Sequence, residues 1–295
     1  MDINFEYYKI FYYVAKYQNI TKAAGVLKSS QPNVTRVIKL LESQLNCNLF
    51  IRESRGLRLT EEGRRLYEHV EVACQHLFNA EAELSGLGDT CSGTIEIGVT
   101  ETALHLYLMD KICDFKKRYP EIKIKIRNNT TPEVIGDLAG GKTDIAFITN
   151  PFPIPEKLTC RRMKEFGEIL VGGMAYARLA ESRLAIKDLC RYPLIGLGNG
   201  TATYELYKEI FLEARIDYEL DMEVTTSNLM MPLILNGLGI GFVPEMLAMP
   251  FLEQSRLVRI DVDMQIPSRD IQMIWDKGVG KSWAAEAFIK YLEEE

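Results

Sequence analysis

The stretch TKAAGVLKSSQPNVTRVIKLLESQL, residues 21–45, decides how the first part of the chain is read. Asn19 and Thr21 are cap-type residues, so a short helix through Ala23, Ala24 and Leu27 is expected. Small side chains at Ala23, Ala24 and Gly25 let a second helix pack closely. Lys28 and Ser29 form a tight turn. Ser30 is a good N-cap, and Pro32 falls in the first turn, where its missing N–H costs nothing. At roughly 100° per residue, Val34, Val37, Ile38 and Leu41 gather on one side of the helix that follows. Pro32, Arg36, Lys39 and Ser43 fall opposite, with Gln31, Asn33 and Thr35 at the N-terminal edge. A short helix, a tight turn and a second helix with a polar, basic outer face is helix-turn-helix geometry. The leading residues of such a second helix reach base edges in the major groove. Gln31 and Asn33 suit adenine and Arg36 suits guanine, unless the face is merely solvated.

Outward from this stretch the pattern continues. Phe5, Tyr8, Tyr12 and Ala15 recur at helical spacing before it, with Phe11 and Val14 beside them. After it, Leu49 and Phe50 open a strand, Ser54, Arg55 and Gly56 turn, and Leu57, Arg58 and Leu59 return. This is a small hairpin, or wing, whose Arg52, Arg55 and Arg58 suit phosphates or a narrow minor groove. Charge agrees. Residues 1–65 hold eleven Lys or Arg against six Asp or Glu, whereas the rest holds 24 against 35, so the net charge of −6 hides a basic head on an acidic body. Such a head meets a polyanion and such a body does not.

The head resembles the LysR-type transcriptional regulators. The matching residues are Phe11, Val14, Ala15, Thr21, Ala23, Ala24, Leu27, Ser30, Gln31, Pro32, Val34, Ile38, Leu41, Glu42 and Leu45, followed without a gap by Leu49, Phe50, Arg52, Arg55, Leu59, Thr60 and Gly63. The resemblance implies that Gln31, Pro32, Thr35 and Arg36 lie at the DNA and that Arg52 and Arg55 belong to the wing. Ser30, Asn33 and Lys39 complete the candidate DNA-binding set. Three positions depart from the family pattern. Asn33 replaces a small residue, Thr35 a serine, and Asn46 a glycine, the last tolerable because Asn accepts a left-handed conformation. Leu40 is an exposed leucine or a contact for a thymine methyl.

Thr60 can cap a further helix, with Glu61 and Glu62 at its positive end. Leu66, Val70, Ala73, Leu77, Ala80, Leu84 and Leu87 then follow at alternating intervals of four and three, a heptad seam that calls for a partner. The partner is a second chain or the chain's own C-terminal part. The resemblance implies the former, a homodimer or homotetramer with Leu66, Val70, Ala73, Leu77, Ala80 and Leu84 in the dimer contact. Gly86, Gly88, Asp89, Ser92 and Gly93 break the helix and mark the best domain boundary. The expected organisation is a winged helix-turn-helix domain over 1–60, a linker helix over 61–88 and an effector domain over 89–295. That last domain divides into subdomain I (about 92–160 and 266–295) and subdomain II (about 161–265).

The body reads as α/β. Strands at Ile95–Val99, Ile122–Ile126 and Ile145–Ile148 alternate with helices, which predicts a parallel sheet covered by helices. The run Pro151-Phe152-Pro153-Ile154-Pro155 interrupts it. A second unit follows, with strands near 158–163, 168–172, 194–197, 219–224 and 239–243. The tail returns with a strand near 270–275 and a helix from about Ser282 to Leu292. In open α/β sheets ligands bind beyond the carboxyl ends of the strands. Here those ends carry Thr100, Glu101 and Thr102; Asn128 and Thr130; Thr149; Asn199 and Thr201; and Thr226. Each cluster alone is a helix cap, but their repetition on one sheet edge argues for a small-molecule effector cleft. Glu101 either complements a helix dipole or, facing the cleft, favours a cationic or hydrogen-bond-donating group. The resemblance implies a body of two α/β subdomains like periplasmic binding proteins, with the effector between them and Thr100, Thr102, Asn128 and Thr201 at the pocket. Gly237–Pro244 is similar to the family's glycine-rich strand entry.

Other classes fare worse. Gly196, Gly198 and Gly200, and likewise Gly237, Gly239 and Gly241, lack the third glycine of a dinucleotide fingerprint. His105 has no nucleophile elbow, and His69 and His76 share no ligand cluster, so neither catalysis nor a metal or other cofactor is expected. The six cysteines are scattered without a Cys-x-x-Cys pair. No membrane span or secretory signal is read, and the expectation is a cytoplasmic regulator of promoter DNA. Two readings stay open beside it: a DNA-binding regulator whose C-terminal domain only mediates oligomerisation, and a solute-binding protein.

Overall fold

The computed structural model describes residues 3–53, 56–84, 93–276, 278 and 282–294. The chain divides into two compact units, Met1–Asp89 and Thr90–Glu295. Of the sequence-predicted features, Ser54 and Arg55 of the wing and residues 86–92 of the hinge lie outside the described residues.

In the first unit α1 (Phe5–Tyr17), α2 (Ile20–Val26) and α3 (Gln31–Leu45) pack around Phe11, Val14, Ala23, Val34 and Leu41, all buried. Lys28 and Asn46 adopt the left-handed conformation, with φ of 50° and 54°, and so turn the chain after α2 and after α3. Asn can do this cheaply where most side chains cannot. The wing is β1 (Phe50–Glu53) against β2 (Gly56–Leu59), antiparallel with Phe50 opposite Leu59. Helix α4 (Glu61–Leu84) follows. Its start lies hard against the wing: a Cβ on Gly63 would collide with the Leu49 carbonyl oxygen, so only glycine fits.

The heptad stripe on α4 is divided. Leu66 and Val70, with Tyr67, Cys74 and Phe78, pack into the head's own core, where the Phe78 ring meets Tyr12 and Tyr13 at 5.9 and 6.2 Å. Ala73, Leu77 and Ala80 are exposed, and the side chain of Leu84 lies outside the described residues. The seven-residue seam is therefore not a single apolar stripe among the described side chains. Its first two positions are taken by the aromatic face of α1, which a count of intervals cannot reveal.

In the second unit, β3 (Gly93–Val99) leads through a helical run, α5 (Glu101–Ala103), a π-helical turn (Leu104–Leu108) and α6 (Met109–Arg118), to β4 (Ile122–Asn128). Then come α7 (Thr131–Ala139) and β5 (Ile145–Thr149). These three strands are parallel, as alternating elements require. The sheet departs from expectation in two ways. It is mixed, not parallel throughout, because the returning strand from Arg269 to Asp276 runs antiparallel to β5. And β6 (Leu158–Phe166) belongs to this first sheet, where it pairs antiparallel with the returning strand, Phe166 opposite Arg269 and Leu158 opposite Asp276. The boundary expected at 160–161 thus moves past Phe166. The proline run misleads because it only turns the chain back toward the same sheet.

The second lobe is built on β7 (Glu168–Gly173), followed by the short β8 (Leu184–Ala185), β9 (Ile195–Leu197), α8 (Ala202–Glu213) and β10 (Met222–Val224). Helix α9 (Ser227–Leu235), β11 (Ile240–Pro244), α10 (Glu245–Glu253), β12 (Leu257–Arg259) and β13 (Val262–Asp263) complete it. The strand predicted from 219 starts only at Met222. Strands β11 and β12 flank β7 antiparallel, β9 and β10 pair in parallel, and a bridge from Leu194 to Ile240 joins the two groups. Glycine makes that join: a Cβ on Gly239 would lie 2.5 Å from the Pro193 carbonyl oxygen. The chain returns to the first lobe through β14 (Arg269–Asp276) and ends in α11 (Trp283–Glu293), which Ser282 caps as expected. Helices α6 and α11 cover one face of the first sheet and α7 the other.

Candidate DNA interface and effector cleft

On α3 the apolar and polar faces separate. Val34, Val37, Ile38 and Leu41 are buried, while Gln31, Pro32, Asn33, Arg36 and Lys39 are exposed. Ser30 caps the helix by accepting the Asn33 N–H at 3.4 Å, and the Thr35 hydroxyl donates back to the Gln31 carbonyl at 3.0 Å. A chain of side chains then orients the guanidinium. Asn33 Nδ2 donates to Ser29 Oγ at 3.1 Å, and Arg36 Nη2 donates to Asn33 Oδ1 at 3.1 Å. Arg36 and Lys39 are exposed, and neither forms an ion pair with a carboxylate among the described residues. Arg52 and Arg58 are exposed on the wing. Glu42, which the resemblance alone singles out in the sequence, ties α3 to the wing. Its Oε1 accepts the N–H groups of Leu49 (2.8 Å) and Phe50 (3.2 Å).

In the second unit the carboxyl ends of β3, β4, β5, β9 and β10 converge on a cavity of about 310 Å³ between the lobes. Thr100, Glu101, Thr102, Asn128, Thr130, Thr149, Thr201 and Thr226 all line it. Asn199 does not: it sits exposed in the turn before Thr201, since a strand end followed by a tight turn points its first residues at solvent. Thr201 uses its hydroxyl locally, capping α8 by accepting the Tyr204 N–H. Thr130 and Glu133 form a capping box on α7. The Thr100 hydroxyl is buried and has no hydrogen-bond partner among the described residues. An orphaned buried hydroxyl is costly, and a ligand atom would relieve it.

No local pattern in the sequence marks what lies under this cavity. Arg269, 2% exposed, spans the two lobes at their crossing. Its Nε donates to the Asn150 carbonyl (2.8 Å), Nη1 to Glu168 Oε1 (3.0 Å) and Thr203 Oγ1 (3.0 Å), and Nη2 to Thr149 Oγ1 (3.2 Å). The guanidinium also lies over the Phe166 ring, 5.4 Å from its centroid. Glu168 accepts in turn from the Tyr207 hydroxyl at 2.8 Å. Burial, together with the Glu168 carboxylate, pushes the Tyr207 phenol well above its ordinary pKa, which keeps it a donor. Thr149 and Thr203 both line the cavity. Because each accepts from Arg269, each keeps its own O–H to donate upward. The floor therefore offers two hydroxyl donors held in place by Arg269, whose charge Glu168 balances.

A winged helix-turn-helix unit joined to a two-lobed α/β unit with a polar cleft defines a ligand-responsive DNA-binding protein. Residues 5–64 match the bacterial regulatory helix-turn-helix protein, lysR family, and residues 88–295 match the LysR substrate binding domain. The chain belongs to the LysR family of transcriptional regulators. It is 26% identical to the HTH-type transcriptional regulator YofA of Bacillus velezensis over 97% of this chain and 96% of that protein. Its fold is that of full-length CbnR, solved in complex with its target DNA (TM-score 0.71, 19% identity, 99% of each chain). The second unit has the fold of the effector binding domain of QuiR in complex with shikimate (TM-score 0.59, 19% identity, 68% of this chain and 95% of that one). No helix among the described residues is long and apolar enough to cross a membrane.

Proposed function

We propose that α3 reads promoter DNA in the major groove through Gln31, Asn33 and Arg36, and that a small molecule with acceptor oxygens closes the two lobes of the second unit and changes that binding. Residues 1–60 act as the DNA-binding domain, 61–88 as the linker through which two copies associate, and 89–295 as the effector domain, in the cytoplasm. The observation that carries the effector reading is the floor of the cleft. Arg269 holds Thr149 and Thr203 as outward donors, with the Thr100 hydroxyl, unpartnered among the described residues, beside them. The QuiR domain, of the same fold, carries shikimate, which supports a small oxygen-rich ligand here. For self-association, the exposed Ala73, Leu77 and Ala80 are the positions left for a second copy among the described side chains of the stripe.

Fluorescence anisotropy of the full-length protein on DNA upstream of its own gene, against scrambled DNA, tests the first half at two salt concentrations. Preference for the upstream fragment, weakening with salt, is expected. Equal binding to both would reduce the head to a general polyanion binder. For the second half, a panel of small hydroxy acids is screened by thermal stabilisation, where a ligand at 100 times its Kd adds about 2.7 kcal/mol. A panel without any stabilising member would favour a body that only assembles the protein.

A further inference from the structure

Beyond the Glu101–Ser227 wall of the polar cleft lies a second and larger cavity, of about 480 Å³. Most of its wall is apolar, from Met230, Met231 and Leu235 of α9, Phe242 of β11, and Leu247 and Phe251 of α10, with the polar groups gathered toward Glu101. Glu101, Thr102, Leu197, Thr203 and Ser227 border both cavities, and the hydroxyls of Thr102 and Ser227 stand 3.4 Å apart on that shared wall. The volume is that of a small-molecule site. Two methionines make its walls adaptable, and water inside would find few polar partners.

One group on the rim is chemically unfinished. Glu101 is 9% exposed, yet among the described residues its carboxylate accepts only the Asn228 backbone N–H within hydrogen-bond distance, at 3.2 Å. His105 lines the same chamber with its Nε2 3.8 Å from Glu101 Oε1, outside hydrogen-bond range and an ion pair only when the imidazole is protonated. An ionised carboxylate has about four acceptor positions, so most of this one's capacity is unused. The other carboxylate bordering the cavity, Glu168, is already held by Arg269 and Tyr207. The apolar chamber thus presents one buried, under-compensated negative charge at its edge, and such a charge seeks a cation.

We propose that this chamber is a second ligand site and that it takes a hydrophobic amine, with the apolar body among the methionine and phenylalanine side chains and the ammonium on the Glu101 carboxylate. A carboxylate in the chamber would lie beside Glu101 without the Thr100 and Thr149 hydroxyls that line only the polar cleft, so it should bind more weakly than an amine. The chamber adjoins the polar cleft across the Glu101–Ser227 wall, but its apolar body does not depend on that cleft's binding an effector.

Isothermal titration of the full-length protein with 2-phenylethylamine and with tryptamine tests the assignment, with 3-phenylpropionate as the charge-reversed control. Both amines should bind saturably, and the acid at least about ten times more weakly, the effect of a like charge left unpaired in a buried wall. Met231→Trp and Leu247→Trp each fill the chamber without touching the cleft and should abolish amine binding; circular dichroism selects whichever variant remains folded. Glu101→Gln should weaken it by about tenfold or more, since the ammonium loses its charged partner. Asn128→Leu alters only the polar cleft and should leave it unchanged. Amine binding that survives both tryptophan variants, or that Asn128→Leu removes, would overturn the proposal while leaving the polar cleft as a ligand site. No saturable binding of either amine would overturn it outright and would say nothing against the cleft.

Discussion

The two units solve the problem of presenting polar groups in opposite ways. In the head, five candidate contact residues lie within nine positions of one helix, Gln31 to Lys39, and are exposed. The apolar residues between them anchor the helix, and local bonds such as Arg36 to Asn33 aim it. In the body, the candidate site is assembled from five strand ends and rests on Arg269, whose partners Thr149 and Glu168 lie more than a hundred residues away in sequence. The head's polar groups cost little to present because water covers them. The body's are buried, so each must find a partner or stay costly.

That contrast predicts where stability and function separate. The largest effect belongs to Arg269→Ala, which strands Glu168 as a buried charge and should destabilise the second unit by about 3–5 kcal/mol. Denaturant unfolding reads it directly, since both tryptophans, Trp275 and Trp283, lie in that unit. A variant as stable as the wild type would mean the lobes are held elsewhere. Arg36→Ala should do the reverse. Its stability should stay within about 0.5 kcal/mol of the wild type, while binding to a specific site weakens by about 1–3 kcal/mol and binding to random DNA barely changes. An equal loss on both DNAs would make Arg36 a phosphate contact.

Finer tests sharpen the same division. Thr100→Val removes a buried hydroxyl that has no partner among the described residues, so the ligand-free protein should gain about 1 kcal/mol while any cleft ligand binds less well. A loss of stability instead would show that the hydroxyl is satisfied, for instance by water. The smallest effect concerns acid. Burial raises the Glu96 pKa, but hydrogen bonds from Lys125 and Arg127 outweigh it and hold the carboxyl below its ordinary value. A depressed carboxyl contributes stability above the unfolded value, about 4.3, and loses it as pH falls through the folded one. Glu96→Gln should therefore flatten the dependence of the urea midpoint on pH between about 3 and 5. An unchanged slope would assign the acid sensitivity to other groups.

Legibility in the sequence follows the same line. The helix-turn-helix is readable because its apolar spacing, its Ser30 cap and its turn residues all lie within one short window. Eight of the nine residues predicted for the cleft line the cavity, because a strand's end is a local feature and the fold class dictates which edge carries ligands. Asn199 misleads because a tight turn intervenes before α8. What stays hidden is non-local. Nothing around Arg269 marks it as buried, and the pairing of β6 with β14 depends on chain returning from a hundred residues on. The division of the α4 stripe is hidden likewise, because heptad spacing does not say that Phe78 and Val70 meet the rings of α1.

The head's proposed role is to read sequence through α3. Selection of bound fragments from a random duplex DNA library by the full-length protein, repeated with Arg36→Ala, tests this most directly. One enriched motif is expected for the wild type, with loss of preference at a guanine within it for the variant. No enriched motif, or the same motif with the same preference in both, would contradict the claim.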